Sequence, residues 1–277
     1  MAALTNPPRT KTPYELKKGQ NRLFHKLPSG LKMEVIEQRR SKSERENPPL
    51  VFVHGSYHAA WCWAEHWLPF FSSSGVKVMN LWEQLLEHFR THCSILLGIY
   101  CKQAVVRNGK CVSRTFRGCT CLLGSTFGGL VLHYLFSKHV AAFKVTLSLA
   151  AKGFQKSIPL CRETFFSQAM DDQLVKRYQD LMTESSRMPL FDLRKLNASL
   201  PVPKPMENST KVLVLGAKDD FIVDDEGLKE TGWFYCVEPV CIEGVAHDMM
   251  LDCSWKKGAE VLLSWLCGLF KPGNLSA

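Results

Sequence analysis

Short apolar runs alternate with longer amphipathic stretches along most of the chain. Apolar runs of about four to eight residues, bounded by glycine, proline or polar residues, are typical of buried strands, whereas amphipathic stretches are typical of helices. The pattern predicts an opening hairpin and then alternating strands and helices, and therefore a largely parallel α/β sheet. The predicted strands are 22–26, 31–37, 48–53, 76–80, 119–123, 143–149, 211–216 and 239–243, and the predicted helices are 60–71, 128–140 and 254–270.

The pattern changes between residues 153 and 208. Long amphipathic stretches there carry several Met and Phe side chains and end in three alternating prolines at 201–205. This composition is typical of a helical cap inserted over a sheet and tied back by a proline-stiffened linker. We therefore predict one α/β domain over residues 21–277, with the cap at 153–208, preceded by an N-terminal extension at 1–20.

The 277 residues include 35 Lys and Arg against 26 Asp and Glu, a formal net charge of +9. Eleven of the basic residues, and no acidic one, lie from Arg90 to Arg162, so the rest of the chain carries a net charge of −2. A local excess without interleaved aromatic residues is typical of a solvated basic face, and an anionic partner is the alternative. We expect no nucleic-acid partner.

Eleven cysteines are many for this length, and the number is odd. Because the basic, proline-bearing N-terminus contains no apolar leader, we interpret the cysteines as free thiols in a reducing compartment, either cytoplasmic or chloroplast. The sequence contains no run of about eighteen uncharged apolar residues, so it predicts no transmembrane segment.

Two groups of cysteine and histidine residues were natural candidates for a metal site. Five cysteines in the stretch 93–121 lack the paired C-x-x-C spacing of a zinc site. His54, His58 and Cys62 are spaced four residues apart, as on one face of a helix, but Gly55 interrupts that helix. We therefore predict no metal.

The first candidate site segment is His54-Gly55-Ser56-Tyr57, which directly follows a predicted buried strand. A glycine at this position lets the backbone turn sharply, and the amide of Ser56 then points into a cleft. An amide in that position can stabilise an oxyanion.

The second candidate segment runs from Gly124 to Gly128, between a predicted strand and a predicted helix. It has the frame of a nucleophile elbow, Gly-x-Ser-x-Gly, with Thr126 at the central position. Small residues two positions before and after the centre let the strained turn close. The positive end of the following helix dipole is directed at the reaction centre.

The third candidate is a pair, Asp220 and His247, each placed after one of the last two predicted strands. A carboxylate that orients an imidazole, which in turn deprotonates a hydroxyl, completes the machinery for acyl transfer in the order nucleophile, acid, histidine. Asp219 competes with Asp220 for the role of the acid, and Asp248 and Asp252 are lesser candidates.

Four blocks together resemble the plant α/β-hydrolase superfamily, near its esterases, methylesterases and hydroxynitrile lyases. The blocks are HGSYHAAWCW at 54–63, LLGSTFGGLVLHY at 122–134, VLVLGAKDDFIVD at 212–224 and GVAHDMM at 244–250. Their order and spacing match the first loop, the elbow, the acid loop and the histidine loop of that superfamily. The resemblance covers most of the chain.

The resemblance implies an α/β-hydrolase fold, with a mostly parallel central sheet flanked by helices and a small helical cap. It implies a carboxylic ester hydrolase, similar to esterases and lipases, that acts on a small-molecule ester or another apolar ligand and needs no cofactor. Thr126 would be the nucleophile, His247 the base and Asp220 its orienter. The amides of Ser56 and Phe127 would form the oxyanion hole.

Two features depart from the family pattern. Thr126 stands where the family has serine, and Ser125 stands where it has histidine. A β-branched residue resists the positive φ that an elbow nucleophile adopts; Ser125, the alternative nucleophile, is flanked at two positions' distance by Leu123 and Phe127 rather than by glycines. The second departure is the stretch 80–118, which is rich in cysteine and arginine and resembles nothing in the family.

These departures keep a second function open: a catalytically silent protein of the same fold that binds a small apolar ligand or a partner. A third hypothesis, lyase chemistry on cyanohydrins, depends only on the first loop.

Overall fold

The computed structural model describes residues 14–26, 32–38, 50–54, 57–75, 121–124, 153–185 and 212–269. Its strands are β1 Gln20–Lys26, β2 Lys32–Gln38, β3 Leu50–Val53, β4 Cys121–Gly124, β5 Leu215–Ala217 and β6 Val240–Ile242. Its α-helices are α1 Trp61–Ala64, α2 Trp67–Ser73, α3 Ile158–Phe165, α4 Asp172–Glu184, α5 Asp225–Tyr235 and α6 Trp255–Leu269, and a 3₁₀ turn spans Gly153–Gln155. The predicted elements at 76–80, 128–140 and 143–149, and the stretch 80–118, lie outside the described residues.

Strands β1 and β2 form the predicted hairpin. They pair antiparallel in register from Gln20 opposite Gln38 to Lys26 opposite Lys32. Ile36 on β2 is buried, whereas the successive residues Leu23 and Phe24 on β1 are both exposed, so burial does not alternate residue by residue along β1. The packed chain begins before residue 20, however, because Tyr14 in the predicted N-terminal extension is also buried.

The other described strands form two parallel pairs, β3 with β4 and β5 with β6. Leu50 lies opposite Cys121 and Val53 opposite Gly124, so β3 and β4 end at the same level. Leu215 lies opposite Val240 and Ala217 opposite Ile242. The loops that follow the two strands of each pair therefore begin at the same edge, at the carboxyl ends of the strands. Open α/β sheets place their functional sites at that edge.

The position of β6 differs from the prediction. The apolar sequence of β6 predicts a strand in the sheet interior, yet Val240 and Cys241 are exposed and only Ile242 is buried. The prediction was wrong because apolar composition does not separate a central strand from a partly exposed one.

The predicted helix at 60–71 is two helices, α1 and α2, which meet at Glu65 and His66. The cause is Pro69, which has no amide hydrogen to donate to the carbonyl of Glu65 and whose ring crowds that carbonyl. The freed carbonyls are bonded from the N-terminal segment: Lys17 Nζ donates to Glu65 O, and Gln20 Nε2 donates to Ala64 O at 2.7 Å.

The core around these helices is aromatic. Trp61, Trp63 and Trp67 are buried. The ring of Phe52 on β3 lies 5.0 Å from Trp63 and 5.7 Å from Phe71, measured between ring centroids. The closing helix α6 covers this core with its Ala and Leu side chains, so β3, α1, α2 and α6 form one packed unit.

Helices α3 and α4 lie in the first part of the predicted cap. Asp171 caps α4 by accepting from the amides of Gln173 and Leu174, as N-terminal carboxylates commonly do. Helix α4 buries Tyr178 and the apolar residues on the same face. The cap's position over the sheet stays a prediction, and its second part, 186–208, lies outside the described residues.

Candidate active site

Backbone hydrogen bonds join the loops that follow β5 and β6. The amide of Lys218 donates to Ile242 O at 2.9 Å, and the amide of Asp219 donates to Val245 O at 3.0 Å. These two bonds continue the parallel pairing beyond the strands. They bring Asp220 beside His247, although 27 residues separate the two in sequence.

Asp220 and His247 form a hydrogen-bonded pair. His247 Nδ1 lies 2.9 Å from Asp220 Oδ2 and 3.0 Å from Oδ1. The carboxylate is held from its other side, because Oδ1 also accepts from the amides of Ile222 at 2.7 Å and Val223 at 2.9 Å. The contact predicted from the order of the blocks is present. Its geometry fixes Nδ1 as the donor and directs Nε2 away from Asp220.

The pKa of His247 is raised relative to an ordinary histidine. Burial by itself lowers the pKa of an imidazole, but the charge of Asp220, its hydrogen bond and the charge of Asp248 outweigh burial here. His66 shows the opposite result, since burial lowers its pKa to about 4. The hydrogen-bonded carboxylate of Asp220 thus outweighs burial at His247, whereas at His66 the charge of Glu65 is opposed by Lys17 and Arg177 and does not outweigh burial.

The other acid candidates lie elsewhere. Asp219 is exposed, and its amide, rather than its carboxylate, bonds the histidine loop. Asp252 is fully buried and accepts from the amide of Ser167 at 2.8 Å and from its hydroxyl at 3.0 Å. Among the described residues, Asp220 is therefore the acid that meets His247.

A second histidine and aspartate pair lies in the interior. His58 Nε2 is 2.8 Å from Asp248 Oδ2, and both side chains are less than 5% exposed. Sequence reasoning missed this pair, because it considered His58 for a metal and Asp248 as a lesser acid. The two residues are 190 positions apart, and no local pattern links them.

Aromatic rings lead from the first loop to His247. Tyr57, at a positive φ of 66°, lies 5.0 Å from Phe154 between ring centroids. Phe154 lies 5.0 Å from Phe165, whose ring is 6.2 Å from that of His247. Phe154 and Phe165 are buried, with 0% and 2% of each residue exposed, so this chain of rings packs the interior beside His247.

The predicted nucleophile and oxyanion groups, Ser56, Ser125, Thr126 and Phe127, lie outside the described residues. What the structure describes is the framework directly before them. Val53 and Gly124 are paired, so β3 and β4 end side by side.

No group of three or more His, Cys, Asp or Glu side chains suited to a metal ion occurs among the described residues. His58 Nε2 is engaged by Asp248, and burial together with the Asp248 charge raises the pKa of the Cys62 thiol, which disfavours the thiolate that a metal needs. In the described part of the chain, no helix has the length and apolarity to cross a bilayer.

Comparison with known proteins gives similarities of structure alone. No protein-family model and no curated protein sequence matches the chain. A thermophilic esterase is similar at 14% identity and a TM-score of 0.48, over 91% of this chain and 99% of its own. A soluble variant of monoglyceride lipase from Saccharomyces cerevisiae is similar at 13% identity and a TM-score of 0.48, over 95% of this chain and 99% of its own.

Naproxen esterase, carboxylesterase NP, from Bacillus subtilis is similar at 17% identity and a TM-score of 0.48, over 91% of this chain and 93% of its own. TM-scores below 0.5 do not establish a shared fold. The function of this chain is therefore argued from its own residues.

Proposed function

We propose that the protein is a carboxylic ester hydrolase of the α/β-hydrolase fold, with Thr126, His247 and Asp220 as nucleophile, base and orienting acid. One observation carries the proposal: Asp220 and His247 are hydrogen-bonded at the carboxyl ends of two parallel strands. A carboxylate on Nδ1 holds the imidazole in the tautomer whose Nε2 accepts a proton, which is the geometry that hydroxyl activation needs.

The proposed reaction has two halves. His247 Nε2 takes the proton of the Thr126 hydroxyl while the oxygen attacks the ester carbonyl carbon, and the amides of Ser56 and Phe127 stabilise the oxyanion. The imidazolium then protonates the departing alcohol, leaving an acyl group on Thr126. A water molecule, deprotonated by His247, attacks that acyl group and releases the acid, and the proton returns to Thr126.

The described framework supports this assembly in two ways. The level ends of β3 and β4 support a common location for the first loop and the elbow. The bond between His58, within the first loop, and Asp248, directly after His247, connects the first loop to the histidine loop. The three predicted segments are thus linked through side chains and strand register rather than through sequence order alone.

The substrate we propose is a small ester with an apolar group. Tyr57, which is partly exposed, packs against the buried rings of Phe154 and Phe165 beside His247, and such apolar surroundings favour apolar acyl or alcohol groups. The proposed chemistry requires no cofactor, because the proton moves between side chains and the nucleophile is a hydroxyl.

A fluorophosphonate probe tests the proposal directly. We expect a covalent adduct on Thr126, mapped by peptide mass spectrometry, and hydrolysis of p-nitrophenyl butyrate that Thr126→Ser increases, because a primary hydroxyl at an elbow is less hindered. Thr126→Ala should abolish both signals. Ser125→Ala is the matched control, since it removes the neighbouring hydroxyl and leaves the proposed nucleophile.

Three results would contradict the proposal. An adduct on Ser125 would move the nucleophile by one residue. Absence of labelling and hydrolysis in both the wild type and Thr126→Ser would favour the catalytically silent protein that binds an apolar ligand. Release of cyanide from a cyanohydrin without ester hydrolysis would favour lyase chemistry.

A further inference from the structure

The interior pair of His58 and Asp248 lies next to the proposed catalytic histidine without being part of the proposed reaction. An ionised carboxylate only accepts, so His58 Nε2 donates to Asp248 Oδ2 across 2.8 Å. The amide of Asp248 donates in turn to Phe165 O at 2.9 Å. Asp248, which directly follows His247, is therefore bonded both to the first loop and to the end of α3.

Phe165 completes the arrangement. Its ring is 6.0 Å from that of His58 and 6.2 Å from that of His247, so the same side chain contacts both imidazoles. The ring is buried, with 2% of the residue exposed. An imidazole next to a fixed ring has fewer orientations available, and Phe165 is itself fixed through its carbonyl.

We propose that His58 and Asp248 are positioning residues for His247, acting through the Asp248 backbone and the Phe165 ring; this rests on the proposed function, in which His247 is the base. His247 and Asp248 are neighbours whose side chains bond two different partners, Asp220 and His58. The peptide between them is thus held at both ends, which fixes the direction in which His247 Nε2 points.

The physical reason is orientation. A base that deviates by about 1 Å from its productive position can lose about 100-fold in rate. Groups that orient a functional histidine without touching the substrate typically contribute about 10- to 100-fold in the metal sites where they have been measured. We expect an effect of that size for this pair, with most of it in kcat.

The charged and titratable groups around the two histidines are few in the described part of the chain. Asp220 and Asp248 act on His247. The thiols of Cys62 and Cys161 lie near Asp248, and burial, helped by the Asp248 charge, raises the pKa of Cys161 to about 12, so both thiols stay protonated at neutral pH. His58 is the group that hydrogen-bonds the Asp248 carboxylate directly.

Three variants and one control test the proposal. His58→Phe removes the donor, Asp248→Asn keeps the shape but removes the charge, and His58→Gln can donate from nearly the position of the imidazole Nε2. The control is Asp252→Asn, because Asp252 is an equally buried carboxylate four residues further along that bonds Ser167 instead of a histidine.

We expect His58→Phe to lower kcat for p-nitrophenyl butyrate by about 10- to 100-fold with KM changed far less. His58→Gln should recover most of the loss, and Asp252→Asn should leave kcat close to that of the wild type. If His58→Phe does not fold, Asp248→Asn replaces it, and the same split between kcat and KM is expected.

A second readout does not depend on activity. The imidazole ¹⁵N and ¹H resonances of His247 report its tautomer and ring environment, and we expect them to shift in His58→Phe and Asp248→Asn but not in Asp252→Asn. Folded variants with unchanged His247 resonances and unchanged kcat would overturn the positioning proposal while leaving ester hydrolysis intact. Shifted resonances in a protein without esterase activity would sustain the positioning role and overturn the proposed function.

Discussion

The two histidine and aspartate pairs have nearly the same length and differ in everything around them. His247 offers Nδ1 to Asp220, and its side chain keeps 10% of its surface accessible at the ends of β5 and β6. His58 offers Nε2 to Asp248, and only 4% of its side chain is accessible. The first pair turns Nε2 of its histidine away from the carboxylate, whereas the second pair connects elements of the interior.

This difference shows that a short hydrogen bond between an imidazole and a carboxylate does not by itself make the histidine a catalytic base. The ring nitrogen that makes the bond, and the access to the ring, decide whether the pair can move a proton to a substrate. On that basis we expect changes at Asp220 and His247 to act mainly on rate, and changes at His58 to act on both stability and rate.

The largest effect is expected from His247→Ala and Asp220→Asn. Loss of the base, or of the group that fixes its tautomer, should reduce kcat for p-nitrophenyl butyrate by about 10²- to 10⁴-fold, the usual contribution of general acid–base catalysis. In His247→Ala the melting temperature should fall less than in His58→Ala, because the Asp220 carboxylate keeps the amides of Ile222 and Val223 as donors. A folded His247→Ala variant that kept full activity would show that His247 is not the catalytic base.

The next effect concerns stability. His58→Ala leaves the Asp248 carboxylate buried without its donor, and breaking a buried pair by removing one partner costs about 3–5 kcal/mol. Urea unfolding should show this loss in the free energy of unfolding. His58→Gln is the control and should retain most of the stability, and a cost below about 1 kcal/mol for His58→Ala would mean that Asp248 is solvated.

Local patterns account for much of the fold. The hairpin, β3 and the closing helix α6 follow from periodicity and turn residues that lie within each segment. The contact between Asp220 and His247 follows from their placement after two strands that a parallel connection brings together. Such inferences succeed because they depend on neighbours in sequence or on one crossover.

Features that depend on distant parts of the chain could not be predicted. The bond between His58 and Asp248 joins residues 190 positions apart, and nothing near either residue signals the other. The separation of α1 from α2 has a local cause in Pro69, but the partners of the freed carbonyls, Lys17 and Gln20, come from the N-terminal segment. The exposure of β6 likewise depends on which elements cover it.

Glu65 is a third buried carboxylate, and its partners are an arginine and a lysine, which are stronger bases than histidine. Arg177 donates two hydrogen bonds to Glu65 at 3.0 and 3.1 Å, and Lys17 Nζ lies 3.1 Å from the same carboxylate. Burial raises the pKa of Glu65, but the Arg177 hydrogen bonds and the two cations outweigh it and the pKa is lowered. Arg177→Met should therefore cost about 1.5–3 kcal/mol, measured by urea unfolding at neutral pH.

The lowered pKa of Glu65 determines how its contribution to the free energy of unfolding changes with pH. A carboxyl whose folded pKa is lowered stabilises the fold above its unfolded value, near 4.5, and loses this contribution as the pH falls through the folded value. The difference in the free energy of unfolding between the wild type and Glu65→Gln should shrink below pH 4.5. A constant difference down to pH 3 would show that folding leaves the pKa of Glu65 unchanged.

The smallest effect is the reverse pH dependence at His247. Its folded pKa is raised, so its contribution to stability is complete below the unfolded value of 6.5 and is lost as the pH rises through the folded value. Relative to His247→Gln, the wild type should be more stable at pH 6 than at pH 9. An inverted sign for His247 would mean that Asp220 does not pair with it in solution.

The long span between His58 and Asp248 also has a consequence for the order in which the chain can fold. During synthesis at about 5–20 residues per second, Asp248 emerges on the order of 10 to 40 s after His58. Throughout that interval the first loop lacks the carboxylate that its imidazole will bind, and closing so long a loop carries an entropic cost that later contacts must offset. The interior beside the proposed site is therefore completed only after Asp248 has left the ribosome, and a nascent chain that stops before residue 248 cannot assemble it.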